Sequence, residues 1–181
     1  SKGVGRFPSG GVNGRLLVNV SVPGGARPGA VCGVIQALSD SANYGPWFSG
    51  EVSGANVHYP FSGIVYDDFL SNERKTVGDP PASLDTWHLA MFKSTTAQYE
   101  YWQNAARFFV QSSPHTLRGT GQGKFGESAS IFNNYYWLGD IAETIYIDAV
   151  FKPYDRIRWE GYAAKRWGMQ SVLDDSHFFK N

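Results

Sequence analysis

Few residues in this chain stand where catalytic chemistry would need them. Asp140 and Glu143 are three apart in a run that reads as one strand, Gly139 to Asp148. Side chains alternate along a strand, so that spacing predicts opposite faces, not the facing pair a general acid and base require. Gly119-Thr120-Gly121-Gln122-Gly123-Lys124 briefly resembles a phosphate loop. Phe125 occupies the place where Ser or Thr would hold Mg²⁺, and no helical pattern follows, so a flexible connection between strands is expected instead. There is no G-x-S-x-G nucleophile elbow, and His58, His88, His115 and His177 have no zinc-like spacing. The single cysteine, Cys32, lies in an apolar run and reads as a buried, inert thiol.

Oxygen ligands cluster at Asp67, Asp68, Asn72 and Glu73, and again at Asp174-Asp175. The first cluster is the denser and the candidate site for Ca²⁺, and a solvated turn explains each cluster at least as well. Binding chemistry is better represented. Asn43-Tyr44-Gly45-Pro46-Trp47-Phe48 and Asn133-Asn134-Tyr135-Tyr136-Trp137 each set flat rings beside amides. Rings match the apolar face of a sugar and amides its hydroxyls, so Tyr44, Trp47, Asn133, Asn134, Tyr135, Tyr136 and Trp137 are candidate glycan contacts. The alternative is that these rings close the sandwich edges or meet neighbouring subunits. Trp102 alternates with Tyr101 along its strand, so one of the two should face outward.

The elements that would carry these residues are mostly strands. Strand patterns cover residues 15–22, 31–38, 57–59, 63–66, 86–93, 99–104, 107–111 and 139–148, separated by Gly, Pro, Ser and Asn turns. Residues 31–38 are apolar on both faces, and residues 39–50 read as a loop. One helix is expected after Pro153, with Asp155 capping its start and Gly168 in the left-handed position past its end. Ile157, Gly161 and Ala164 share its buried face, widened by Trp159, Tyr162 and Ala163. Strand after strand with one late helix gives an all-β sandwich.

Composition narrows the partners. The chain has 181 residues, enough for one domain, and 15% are aromatic with 21 Gly and 9 Pro. Sixteen basic and 16 acidic side chains leave no formal net charge, which argues against nucleic acid or an anionic membrane held by bulk electrostatics. No apolar run is long enough for a membrane span, and residues 1–14 read as a flexible or docking arm before a domain over 15–181. The N-terminus shows no signal-peptide pattern, and Ser1 fits either a removed initiator Met or a removed signal peptide before it; only if it follows an initiator Met is a phage particle favoured over a secreted enzyme.

Several motifs carry a family resemblance. Thr86-Trp87-His88-Leu89-Ala90 resembles a "W-H-x-A" strand, and Glu100 to Asn104 a strand ending in "L-Y-x-N-G", with Ala105 in place of the glycine. Phe125-Gly126 and Trp137 to Ile147 are similar to an "I-G … F-x-G-x-I-A-E" pair. Trp167-Gly168-Met169 through Leu173 and His177 is similar to a "K-W-G-L … H-P-Y" ending, with Phe178-Phe179 where Pro-Tyr is usual. Together these resemble the laminin-G-like domains of bacteria and phages in the concanavalin A-like superfamily. The resemblance implies a jelly-roll sandwich of two antiparallel sheets with one short C-terminal helix, and core roles for Trp87, Trp159 and Trp167. Enzymes of that fold place carboxylates along one strand in a pattern like E-x-D-x-x-E, which this sequence lacks. It further implies a non-enzymatic adhesion protein on a virion surface, as capsid decoration or fibre, binding host-surface glycan. A structural virion subunit contacting other virion or cell-surface proteins or its own copies, and a carbohydrate-binding module of a secreted bacterial protein, are the alternatives.

Overall fold

A computed structural model describes residues 5–7, 16–22, 28–38, 45–49, 57–67, 74–112, 121–126 and 137–180. Its strands are β1 (Gly5–Phe7), β2 (Leu16–Val22), β3 (Gly29–Ala37), β4 (Trp47–Ser49), β5 (Val57–Phe61), β6 (Ile64–Asp67), β7 (Lys75–Gly78), β8 (His88–Ser94), β9 (Tyr99–Gln103), β10 (Ala106–Gln111), β11 (Gly121–Phe125) and β12 (Gly139–Ile147). One helix, α1 (Pro153–Trp167), follows, and then a 3₁₀ turn at Gln170–Val172. A six-stranded sheet runs β1-β12-β3-β8-β9-β10, and the layer against it is built from β2-β11-β4 and β5-β6-β7. Every pairing is antiparallel. Among the described residues no helix is long and apolar enough to cross a membrane.

The large sheet has two cores because its central strands are apolar on both faces. Val31, Ile35, Ala90, Phe92, Tyr99 and Tyr101 point inward and meet Trp47, Val57, Tyr59, Val65 and Val77 from the opposing layer. Cys32, Val34, Leu89 and Met91 point outward, where Phe151, Trp159, Ala163, Ala164, Met169 and Leu173 cover them. The alternation of period two sorts each strand between the cores. It also settles the Tyr101–Trp102 pair: Tyr101 is fully buried inside, and Trp102 is half-buried on the helix side. Trp159 is buried in the outer core, and Trp87 and Trp167 pack half-buried against it.

Several local expectations change. Part of the expected loop over 39–50 is strand β4, and the glycine run that looked like a flexible connection is β11, paired on both sides. Glycine disfavours a strand by its freedom, and the ladders to β2 and β4 on both sides hold this one extended. Within the expected arm, Gly5–Phe7 pairs with Gly139–Ile141 as an edge strand. Helix α1 begins earlier than Asp155: Lys152 is the flanking residue, without a side-chain cap, and Pro153 opens the first turn. Proline suits that position because its missing N–H would have no helical partner there. Asp155 instead sits inside the first turn, where the helix dipole favours its charge. At the other end Gly168 adopts φ 73°, ψ 34°, the left-handed stop its type predicts. The buried face is Trp159, Glu160, Gly161, Ala163 and Ala164; Tyr162 lies on the outside and Ile157 is half-buried.

Candidate functional site

The candidate site is a cluster of backbone hydrogen bonds and a cavity at one end of the sandwich. There the Leu38 N–H donates to the Leu138 carbonyl at 2.9 Å, Gly126 N–H to Pro46 O at 3.0 Å and Trp137 N–H to Gly126 O at 2.9 Å. These residues flank segments 39–44 and 127–136, so the described ends of the two segments that carry the candidate rings are hydrogen-bonded together. Beside these bonds is a shallow, open cavity of about 390 Å³, with Leu38, Pro60, Gly63, Asp79, Ser83 and Asp85 on its wall.

The wall is held from several directions. Ala37 N–H donates to Leu84 O at 2.8 Å, and the Gln36 amide donates to Asp85 O at 2.6 Å. Gln103 closes a two-way clip on Ala82, donating to its carbonyl at 2.9 Å and accepting its N–H at 3.2 Å. Ser83 donates its hydroxyl to the Asp85 carboxylate. Behind the wall, His88 Nδ1 donates to Thr86 O at 2.7 Å, which leaves Nε2 as an acceptor for the Tyr59 hydroxyl at 2.7 Å. Tyr101 must then donate to Tyr59, also at 2.7 Å. Burial lowers the His88 pKa to about 4, against the opposing pull of its bond to Thr86, and burial raises both phenols. The triad is therefore neutral and sealed in the core near pH 7. It holds His88 to the Thr86 carbonyl and offers no base to solvent.

What faces outward is acidic and apolar. Asp79 and Asp85 are exposed acceptors, Pro60 and Pro80 line the wall, and Leu38 is 49% exposed. Carboxylates beside apolar surface suit hydroxyl-rich molecules with an apolar face.

Two of the candidate glycan contacts are corrected. Trp47 and Trp137 are 1% and 0% exposed, so neither ring can stack on a sugar. Trp47 Nε1 donates to the Thr144 hydroxyl at 2.9 Å, and its ring meets Phe92 edge-on with centroids 5.9 Å apart. Trp137 Nε1 donates to Tyr59 O at 2.8 Å. Their slots exist because two neighbours lack side chains: a Cβ on Gly33 would lie 2.5 Å from the Trp47 ring, and one on Gly139 2.4 Å from Trp137. Tyr44, Asn133, Asn134, Tyr135 and Tyr136 lie outside the described residues.

The calcium candidates divide similarly. Asp67 is fully buried at the end of β6, opposite Lys75 in register, while Asp68, Asn72 and Glu73 lie outside the described residues. Among the described residues no group of three or more His, Cys, Asp or Glu side chains could hold a metal. Asp174 accepts the Ser176 N–H and hydroxyl at 2.8 and 2.6 Å, and Asp175 pairs with Lys180 at 2.8 Å, which describes a solvated turn. Cys32 is fully buried, and burial followed by the Glu160 charge raises its pKa well above the usual range.

The carboxylate pair is a further correction. The register slips between Ile141 and Glu143, so Asp140 opposes Gln36 and Glu143 opposes Val34. That bulge at Ala142 brings Asp140 and Glu143 to the same face. Asp140 is buried, and Glu143 accepts from Trp167 Nε1 at 2.8 Å and Tyr162 at 3.0 Å with Arg166 at 3.3 Å. Glu143 thus fastens α1 to the sheet.

Comparison with known proteins places the fold. No protein-family model and no curated protein matches the chain. Solved structures do. The heptameric SAP-like pentraxin from Limulus polyphemus has TM-score 0.60 at 14% identity, covering 82% of this chain and 76% of the pentraxin. Domain 4 of the extracellular arabinanase AbnA from Geobacillus stearothermophilus, in complex with arabinotriose, has TM-score 0.56 at 8% identity, covering 84% of each chain. The carbohydrate-binding module CBM40 of the Ruminococcus gnavus IT-sialidase has TM-score 0.56 at 10% identity, covering 75% of this chain and 92% of the module. The same module has been solved with α2,3-sialyllactose. The fold is a lectin-type jelly roll. Within it, the sequence motifs missed Asp79, Ser83 and Asp85: they lie in a segment read only as a chain break at Asp79-Pro80-Pro81, and the clips that shape it come from Gln36 and Gln103.

Proposed function

We propose that this jelly roll is a non-enzymatic recognition domain that binds glycan at the loop-rimmed end. One observation carries the reading: the roots of both ring-and-amide loops are hydrogen-bonded to each other beside a braced cavity with exposed carboxylates. That wall suits a neutral, hydroxyl-rich glycan. The laminin-G-like motifs extend the proposal to a phage virion surface, as capsid decoration or fibre, with host-cell polysaccharide as ligand. The sugar-bound states of two proteins of this fold support the ligand class by analogy.

The exposed outer strand β10 favours a second reading, a structural subunit contacting other proteins. Its Phe108 and Val110 are 37% and 46% exposed, and such an edge invites pairing.

The test is a glycan array with bacterial surface polysaccharides, with and without Ca²⁺, followed by affinity measurements on a hit. The expected result is selective binding that falls at least tenfold in Asp79→Ala/Asp85→Ala with an unchanged melting temperature. An array without hits, together with a symmetric oligomer in light scattering, would replace it with the subunit reading.

A further inference from the structure

The cations of helix α1 fall into two groups. Arg156 and Arg166 are spent internally. Arg156 reaches both oxygens of buried Glu160 at 2.6 and 2.7 Å and lies 3.9 Å over the Trp102 ring, and Arg166 pairs with Glu143. Arg158 and Lys165 are different. Both are exposed, and no carboxylate among the described residues lies within ion-pair distance of either. They stand seven residues apart, two turns on one face and about 10 Å along the axis, with Tyr162 between them.

A groove of about 590 Å³ runs along this stripe. Phe179, from the C-terminal tail, forms its flank by packing where a side chain at residue 161 would be. A Cβ there would lie 2.3 Å from the phenylalanine, so only glycine leaves the space. Asp155 is the one acidic side chain on its lining, at the helix start. Tyr162 is 48% exposed. The groove therefore offers two unneutralised cations with an aromatic ring between them, on a chain whose overall charge is zero.

From this we infer that the α1 groove is a second binding site, on the helix side of the sheet, for an acidic polysaccharide. Arg158 and Lys165 meet carboxylates on the two sugars that flank a third, and Tyr162 stacks on the ring of that middle sugar. The requirement is geometric: charges must recur at a sugar-chain interval and carry a ring face between them. A free anion satisfies one cation only, and a neutral glycan neither. The inference does not depend on the loop-rimmed end, whose exposed carboxylates would repel such a ligand.

The test uses the whole chain in biolayer interferometry, with polygalacturonate as probe and neutral dextran as control. Polygalacturonate should bind and dextran should not, with affinity falling as NaCl rises. Arg158→Gln/Lys165→Gln should weaken binding at least tenfold and Tyr162→Ala severalfold. Asp79→Ala/Asp85→Ala should not weaken it, which separates this site from the other end. Melting curves of each variant exclude unfolding as the cause of a loss. Unchanged binding by the double variant, equal binding of dextran, or loss in the Asp79/Asp85 variant would overturn the inference. So would equally tight binding of single-stranded DNA or phosphatidylserine vesicles through the same residues, since that face would then respond to charge alone.

Discussion

The two faces of the six-stranded sheet solve the burial of polar groups in opposite ways. Inside, the polar atoms against the large sheet are neutral, with indole N–H groups from Trp47 and Trp137, two phenols and an uncharged imidazole arranged donor to acceptor, and the buried Asp67 and Lys75 of the opposing layer face each other in register. Outside, under the helix, they are charged. Glu160 holds Arg156 and His177, Glu143 holds Arg166 and the Trp167 indole, and Glu100 accepts from Trp102 with Lys93 at 3.6 Å. The difference follows from access. The inner core is closed by two sheets, where a charge would have to be desolvated outright. The outer core has one helix and a tail over it, so its buried carboxylates, Glu160 and Glu100, can be met by cations, Arg156 and Lys93, whose long stems reach in from the rim.

Truncation should expose that contrast most strongly. Trp137→Ala removes a fully buried ring and its bond to Tyr59, and should cost about 4 kcal/mol, read as a lowered urea midpoint. Arg166→Ala, whose partner pair is half-exposed, should cost under about 1 kcal/mol. Comparable losses in the two variants would mean that the inner face is no more tightly packed than the outer. Retained stability in Trp137→Ala would return that ring to the list of ligand contacts.

Acid should separate the faces next. His88 is buried, and its pKa is lowered to about 4, chiefly by burial; His58 is lowered to about 4 by burial and then by the Arg74 charge. A depressed histidine means that the unfolded chain takes up protons near pH 6.5 while the native one does not. Stability is therefore lost as pH falls from about 6.5 towards 4, by about 2 kcal/mol per histidine at pH 5. Glu160 acts with the opposite sign. Burial raises its pKa despite Arg156 and His177, so protonating it on acidification relieves a cost. Denaturation midpoints between pH 7 and 4.5 should fall, and fall less in His88→Phe. A flat profile would contradict neutral histidines within the inner layers.

The sequence reading succeeded where the signal was local and failed where it depended on packing. Gly168 stops the helix because a left-handed residue is needed within one turn, and residue type reports that directly. The doubly buried β3 was legible from its unbroken apolar run. Trp47 and Trp137 were not legible, since a ring among Gly, Pro and Asn reads the same whether it faces solvent or fills a slot, the one left by Gly33 on another strand or the one left by Gly139 two residues on. The bulge at Ala142 has no sequence mark, and it reverses an inference from strict alternation. Glu160 escaped notice because a helical wheel places charge outward, and only the fold supplies Arg156 and His177 as inward partners. The candidate cavity depends on Gln36 and Gln103, whose clips join distant segments.

The smallest predicted effect concerns a residue shared by neither face alone, at the turn from β9 to β10. Asn104 and Ala105 have φ 50° and 66°, the two left-handed positions of a two-residue hairpin. Asn104 is suited to it and is tied down, since its side chain accepts the Leu89 N–H at 3.0 Å and its own N–H reaches Leu89 O at 2.9 Å. Ala105 is not suited, because its Cβ opposes a left-handed backbone. The turn nevertheless forms, because both strands and the Asn104 bonds fix its register, and the methyl packs half-buried against the outer core. Ala105→Gly would relieve the backbone cost of about 1 kcal/mol, while losing the methyl contact and adding freedom to the unfolded chain. The expected net is a gain of about 0.5 kcal/mol in urea denaturation. A loss instead would show that the methyl's place against the outer core outweighs the strain, making this turn part of the helix-side packing.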